Sequence, residues 1–546
     1  MFALISMGIF CVMAVVLLLI RKAHIASVRN LKETFGRIPD EEHDMKRVSS
    51  YHVHAIQADE EASFLDSTTW SDLSMDSVYQ RINACHCSIG DEYLYHVLHD
   101  VHIPQSTLES RYLLKEWLSS DEVSRLRLQK ILVGIGKRPG NGLGAFIFNP
   151  FTKRLGNDWI YVVLAMLPLV ACALLPLSIQ ISMGFLICSV CLNILVSVTK
   201  TSTLESELES LRYFSSLVHG AKMIQREFAS RLNKMGGSGT LGDDLEISLA
   251  PFRHMRGVLP GSMNLFAAEV EVPFLVFKAV FLMDLIRYNC TVGLMIAHNH
   301  ELQLLYKIIG ELDMAVSSAS FCASIPWYCK PHFDEENFIV IERGYHPLVS
   351  NPVPNSVVLK NDSILTGSNA SGKSIFIKMI AVNHILAQSL FICCAKEYSL
   401  GRAFVISSMA LRDNIEIGES YFMAEIRSLR RIMDECKKQR CVCFIDEILR
   451  GTNTPERIAA STAVLRALHK TQSMCLVASH DIELTEILDE IFDNYHFSEH
   501  FEKEEVIFDY LLKKGPSKTR NAIRLLEYMG FDEQVVIDAR AMLCAK

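Results

Sequence analysis

The residues Gly367, Ser368, Asn369, Ala370, Ser371, Gly372, Lys373 and Ser374 fit the pattern G-x-x-x-x-G-K-[ST] at every fixed position. In such a loop the glycines let backbone N–H groups turn inward around a β-phosphate. The Lys373 ammonium neutralises β- and γ-oxygens, and the Ser374 hydroxyl can ligate Mg²⁺. Further along, the apolar run CVCFIDE ends in Asp446 and Glu447. An apolar run closed by two acids marks many strand ends. After a complete phosphate loop it reads as the partner motif, with Asp446 on the Mg²⁺ shell and Glu447 as general base for an attacking water. A third run, MCLVASH, ends in His480, placed to sense a γ-phosphate. The implied cofactors are ATP and Mg²⁺, and the implied reaction is ATP hydrolysis.

Groups of this kind need rigid strand ends to hold them. From Phe338 onward short apolar runs (FIVIE, SVVL, SILTG, AFVIS, CVCFIDE, MCLVASH) alternate with helical segments. Uninterrupted apolar runs suit strands covered on both faces, which predicts an α/β domain with a mainly parallel sheet over 338–505. The run SILT is expected as a strand. KSIFIKMIAVNHILAQ is expected as a helix whose N-terminus adds its dipole to the anion site. The tail from Phe508 is expected to be helical.

The rest of the chain has a different texture. It holds 546 residues, 50% apolar and 21% charged, with a formal charge of −8, so no global pull toward nucleic acid or anionic lipid exists. Residues 1–20 are almost wholly apolar and end at Arg21 and Lys22, which predicts a retained anchor rather than a cleaved leader. From Trp159 to Thr199 there is no charged residue, enough for two spans joined near PLSIQ, and basic residues flank both apolar blocks. Three membrane spans are therefore expected, 1–20 and a hairpin over 158–199. The predicted setting is a bacterial-type plasma membrane with the phosphate loop on the cytoplasmic side. Residues 21–65 read as a tether, 66–150 as a small helical domain, and 200–330 as a helical arm broken by a turn at 234–244.

Sixteen cysteines raise zinc or disulfides, but Cys85/Cys87, Cys393/Cys394 and Cys441/Cys443 lack metal-ligand spacing, and Cys188 and Cys191 lie in an apolar span. Reduced thiols are expected. His96 and His99 fall at i and i+3 without a third ligand, and read as ordinary histidines. Two basic groups, Lys513/Lys514/Lys518/Arg520 and Arg427/Arg430/Arg431, read as solvated helix faces before they read as a nucleic-acid contact.

Between the phosphate loop and the acidic pair lies GESYFMAEIRSLRRI, Gly418 to Ile432. The order of phosphate loop, this segment, the acidic pair with RGTNTPERIA, and the final SH resembles the ATPase domain of the MutS family of mismatch-repair proteins. GELDMAVSSASFCASIPWYCKP and IERGYHPLV resemble the segments that join that family's helical core to its ATPase, and residues 506–546 its closing helix-turn-helix. The resemblance spans about Thr203 to Leu543. It implies a homodimer through the ATPase domain, in which Ser420 of one subunit completes the nucleotide site of the other, Gly451 to Thr454 run along the seam, and ATP state moves helical arms. The family's mismatch-reading domain has no counterpart ahead of the helical core. Phe-x-Glu at Phe333, Phe497 and Phe531 lies beside or after the ATPase. Three functions are compatible with the residues: a membrane-anchored MutS-like ATPase acting on mismatched or branched DNA, the same engine acting on an unknown partner protein at the membrane, and, with less support, an ABC-type transport ATPase.

Overall fold

A computed structural model describes residues 22, 25–58, 63–138, 143–148, 155–156, 158–234, 241–253, 276–336, 338–368, 371–409, 421–502, 505–517 and 529–544. The expected anchor over 1–20 lies outside them, as do Asn369, Ala370 and Ser420. The chain divides into two compact units. One comprises 1–62, 82–96 and 109–323, the other 63–81, 97–108 and 324–546. The stretch 66–150, expected as one helical domain, is thus shared between both, because 63–81 and 97–108 bury their apolar residues with the α/β unit.

The first unit is helical. Its core is built from faces of Glu122–Ile135, Glu205–Leu232 and Leu241–Leu249 around Asn299–Ala323, which is buried on all sides from Ile308 to Cys322, with Tyr213, Phe214, Leu217, Leu245, Leu305 and Ile309 fully buried. Of the turn expected over 234–244, residues 235–240 lie outside the described residues. Residues 241–249 are helical, with Asp243 and Asp244 in the first turn, where carboxylates meet the positive end of the helix dipole. The supposed tether is also structured: Met45–Val48 and Ser50–Ala58 are helices, and Arg47 reaches the buried Asp91 at 3.3 Å.

Buried charges join these helices. The Arg111 Nε and Nη2 donate to Glu311 at 2.9 and 2.6 Å, and the Tyr93 hydroxyl adds a bond of 2.8 Å to the same carboxylate. Asp313, fully buried, accepts from the backbone N–H groups of His86 and Cys87 at 3.0 and 2.9 Å. Gly90 is required there, since a Cβ at that position would lie 2.2 Å from an Asp313 oxygen.

Two apolar helices, Asp158–Ala173 and Ile179–Thr203, form a hairpin in this unit. One helix among the described residues, Ile179–Ser202, is long and apolar enough to cross a membrane by length and composition, and Trp159–Ala173 is apolar but shorter. Pro168 has no N–H, so the Leu164 carbonyl four residues back loses its helical donor. Asn193 of the second helix supplies a replacement, donating from Nδ2 to the Leu164 carbonyl at 2.8 Å and to the Val280 carbonyl at 2.8 Å. Ser182 likewise donates to the Ala171 carbonyl at 2.5 Å.

The second unit is α/β. Its strands are β1 (His332–Asp334), β2 (Ile339–Gly344), β3 (Asn355–Leu359), β4 (Ser363–Thr366), β5 (Glu397–Gly401) and β6 (Phe404–Ser408). After them come β7 (Cys441–Asp446), β8 (Met474–Ala478), β9 (Asp493–His496), β10 (Glu499–Glu502), β11 (Glu505–Phe508) and β12 (Lys513–Lys514). The central sheet has the order β12-β9-β4-β8-β7-β6, parallel throughout except where β12 pairs with β9. The helices Lys373–Ser389, Tyr421–Lys438 and Thr454–His469 are among the elements that connect these strands. A separate four-stranded sheet, β1-β5-β2-β3, is mixed, with only β1 and β5 parallel. The parallel expectation therefore applies to the central sheet alone. The tail does not begin as a helix: β11 forms a hairpin with β10 and β12 extends the central sheet, while Glu533–Cys544 is helical.

Strand β6 is the outer strand of its sheet, and residues 66–72 cover it. The Ser407 N–H, which points away from β7, donates to the Thr69 hydroxyl at 3.1 Å, and its carbonyl accepts from Arg431. Asp72 accepts from the Ser407 hydroxyl at 2.8 Å and the Met409 N–H at 3.0 Å.

The Arg111–Glu311 pair generates a direct stability test. Glu311→Ala leaves a guanidinium buried without its carboxylate, and is expected to cost about 3 to 5 kcal/mol in a denaturant titration followed by helical circular dichroism.

Candidate nucleotide site

Strand β4 is wholly buried between β9 and β8, and it delivers the chain into the glycine loop. Gly367 has φ +139°, and a Cβ there would meet the Phe497 carbonyl oxygen at 2.8 Å. Gly372 has φ +101°, with the Tyr510 ring 3.1 Å from where a Cβ would sit. Only glycine combines those angles with such close approach. The helix Lys373–Ser389 starts immediately after, so its free N–H groups and dipole face the loop. Ser371 donates to the Ser368 carbonyl at 2.6 Å, and the Ser368 hydroxyl donates to Glu499 at 2.7 Å.

Lys373 is buried, with Nζ donating to the carbonyls of Gly367 and Ser368 at 2.6 and 2.9 Å. Burial pulls its pKa down to about 8, against the opposing pull of the Glu447 and Asp446 carboxylates. It is therefore a cation at neutral pH, and holds its proton less firmly than an exposed lysine.

The acidic pair stands where β7 ends. Strand β7 is dry along its length, and Asp446 is buried with Oδ1 lacking any hydrogen-bond partner among the described residues. A buried carboxylate oxygen left open is a hard ligand suited to Mg²⁺, as is the hydroxyl of the half-buried Ser374 in the first turn of the helix after the loop. Glu447 then leaves the sheet with φ +60°, its N–H donating to the Ala478 carbonyl at 2.9 Å. Leu449 follows at φ +57°. Left-handed non-glycine residues cost roughly 1 to 3 kcal/mol each, so the surrounding contacts must enforce them.

Those contacts are visible. Glu447 Oε1 lies 2.9 Å from His480 Nε2, and Oε2 is paired with the Arg450 guanidinium. His480 Nε2 also lies 3.5 Å from Lys373 Nζ. Burial would raise the Glu447 pKa, but the His480 hydrogen bond and the charges of His480, Arg450 and Lys373 outweigh it and hold the carboxyl below its ordinary value. Glu447 is thus an anion at neutral pH, the state a general base needs.

The structure brings Gly367, Ser368, Ser371, Gly372, Lys373, Ser374, Asp446, Glu447 and His480 to the carboxyl ends of the parallel strands β4, β7 and β8, where α/β sheets collect ligands. Several neighbours carried no sequence signal of their own. Arg450 could have been suspected from its place three residues after Glu447. Glu425, buried in the helix Tyr421–Lys438, accepts from the N–H groups of Arg450 and Gly451 at 3.3 and 3.4 Å. Arg457 forms a two-bond pair with Asp481 at 2.6 and 2.8 Å, tying the helix after Asn453 to the residue following His480. Glu499 and Tyr510 arrive from the tail.

A protein-family model described as MutS domain V matches residues 363–545. The match takes in the phosphate loop, the acidic pair, His480 and the tail. Among curated proteins, the chain is 31% identical over 263 residues to mouse "MutS protein homolog 4", covering 44% of this chain and 27% of that protein. It is 31% identical over 247 residues to "DNA mismatch repair protein MutS" of Aquifex pyrophilus, covering 43% of this chain and 29% of that protein. A Thermus thermophilus protein of the same name is 30% identical over 244 residues, 44% of this chain and 30% of its own length. The matched region thus spans less than a third of each of these relatives.

Three of the basic residues singled out in the sequence are engaged locally. Arg431 pairs with Asp66, Arg430 lies 3.7 Å from Asp434, and Lys513 lies 2.6 Å from Asp509. Lys518 and Arg520 lie outside the described residues. The two histidines considered as ligands part ways: His99 stacks on Trp70 at 3.6 Å between ring centres, and His96 Nδ1 lies 3.1 Å from His52 Nδ1. Among the described residues no group of three or more metal-ligating side chains could hold a metal ion.

The depressed pKa of Lys373 predicts how phosphate binding depends on pH. ATP affinity, measured by titration of a fluorescent nucleotide, is expected to be steady near neutral pH and to weaken as pH rises through about 8, where the ammonium loses its proton. Lys373→Ala should bind weakly at every pH.

Proposed function

We propose that this protein is a membrane-anchored, MutS-type ATPase that works as a homodimer through its ATPase domain, with mismatched or branched DNA as its substrate. The observation that carries the reading is the row of Lys373, His480 and Glu447, each within 3.5 Å of the next, inside a MutS domain V.

In this reading the glycine loop and Lys373 hold the β- and γ-phosphates of ATP. Ser374 and Asp446 would hold Mg²⁺, which would supply positive charge against those phosphates. Glu447 takes the proton of a water as its oxygen attacks the γ-phosphorus. The bond from the γ-phosphorus to the bridging oxygen breaks, leaving ADP and phosphate. His480 stays bonded to Glu447 Oε1 and fixes the direction in which the carboxylate faces. Ser420 of the opposite subunit completes the site, so that hydrolysis requires two chains and nucleotide state can move helical arms.

Membrane anchoring draws support from the hairpin 158–203. Its outward residues are large and apolar, with Ile179, Ile181 and Leu195 each more than half exposed. The Leu164 carbonyl freed by Pro168 is satisfied from within by Asn193, as a lipid environment demands of every backbone polar group. The anchor over 1–20 and a cytoplasmic MutS domain V complete the proposal. DNA as the substrate draws on the similarity to the Aquifex pyrophilus and Thermus thermophilus DNA mismatch repair proteins.

Two experiments test the reading on the full-length protein in detergent. Glu447→Gln is expected to bind ATP and lose turnover, and Lys373→Ala to lose both; normal phosphate release by Glu447→Gln would remove it as the base. Retention on mismatched and plain duplex is to be followed against salt. Binding that weakens steeply with salt and favours the mismatch is expected, and no retention at low salt would overturn DNA as the substrate and favour a protein partner.

A further inference from the structure

We propose that residues 66–72 are a positioning element of the nucleotide site, acting through the helix Tyr421–Lys438 on the turn that holds Glu447. This rests on the reading of Glu447 as the general base.

One end of the route is at the sheet edge. Asp66 caps its own short helix by accepting from the N–H groups of Thr68 and Thr69 at 3.0 and 2.9 Å, and also pairs with Arg431. Arg431 reaches the Thr69 hydroxyl at 3.2 Å and donates to the Ser407 carbonyl. Together with the two bonds that Asp72 makes to Ser407 and Met409, these contacts fix Arg431, and with it the helix, against β6.

The other end is at the catalytic turn. Glu425 lies six residues before Arg431, about 9 Å along the same rigid helix. Its carboxylate holds the N–H groups of Arg450 and Gly451. Phe422 packs so closely that a Cβ on Gly451 would be 2.8 Å from its own Cβ. Arg450 in turn pairs with Glu447. A shift of the helix at Arg431 is therefore passed through Glu425 to the backbone of residue 450, and from there to the guanidinium on the base. Lys373 and the glycine loop belong to a different helix and are not part of the route.

The test compares Asp66→Asn, Asp72→Asn and Thr69→Val in the full-length protein. Each is expected to lower kcat for ATP roughly tenfold with the Kd for ATP within about twofold, because misplacing a catalytic group by a fraction of an ångström costs turnover before it costs binding. Arg450→Gln should give the same loss of kcat at nearly unchanged Kd, and combining it with Asp66→Asn should add little, since both act through one contact. Thr69→Val removes only a hydroxyl and keeps the test decisive if an aspartate variant fails to fold. Unchanged kcat, a Kd that weakens as much as kcat falls, or losses that fully add to Arg450→Gln would overturn the proposal. If Glu447→Gln hydrolyses ATP normally, the general-base reading fails instead.

Discussion

A carboxylate at the end of a dry strand can exist as an anion only if something compensates for the lost water, and Glu447 is where this requirement organises the second unit. Its compensation comes from three separate places in the chain: His480 from the end of β8, Arg450 from the turn just after it, and Lys373 from the helix after β4. The left-handed backbone at Glu447 and Leu449 is the local cost of bringing that carboxylate back over the sheet. Asp446, one residue earlier, takes the opposite course. Its side chain remains buried at the strand end with an oxygen uncommitted, which suits a cation better than a proton donor.

The first unit meets the same rule by other means. Its buried acids are neutralised by fixed geometry: Glu311 by a two-nitrogen guanidinium contact and a tyrosine hydroxyl, Asp313 by two backbone N–H groups. The hairpin applies it to the backbone, where the carbonyl that Pro168 leaves open is taken up by Asn193. In each case a polar group away from water is tied to a partner that secondary structure alone does not provide. Such ties set register between helices, because only one alignment satisfies them.

Much of the central sheet and the phosphate loop was legible in the chain. Each of β4, β7 and β8 is an apolar run that leads into the glycine loop or into a chemically distinctive residue, so length, covering and site could be inferred together. What escaped detection lacks periodicity or acts at long separation. Glu499 comes from a strand short enough to pass for loop and Tyr510 from the link between two such strands, and their role depends on tertiary pairing. Glu425 was visible as part of GESYFMAE, but nothing local says that its carboxylate caps backbone at 450 and 451. The segment 45–58 looked like a tether because its composition is mixed and polar, while its anchor, Arg47 on Asp91, joins residues far apart in sequence. Residues 66–72 read as the start of a helical domain, whereas hydrogen bonds to Ser407 and Arg431 assign them to the sheet.

That assignment also bears on how the protein avoids sticking to itself. An uncovered outer strand offers a row of free N–H and C=O groups to any passing extended chain, and β6 is buried along its whole length and apolar over Phe404–Ile406. The helix at 67–72 closes that row with a hydroxyl and a carboxylate placed more than 300 residues earlier in the sequence. A nascent chain therefore presents the cover long before the strand it protects, and the outer strand has its partner waiting when it emerges. A fragment that kept the sheet but dropped the early segment would expose a template for intermolecular strand pairing, the starting point of β-aggregates.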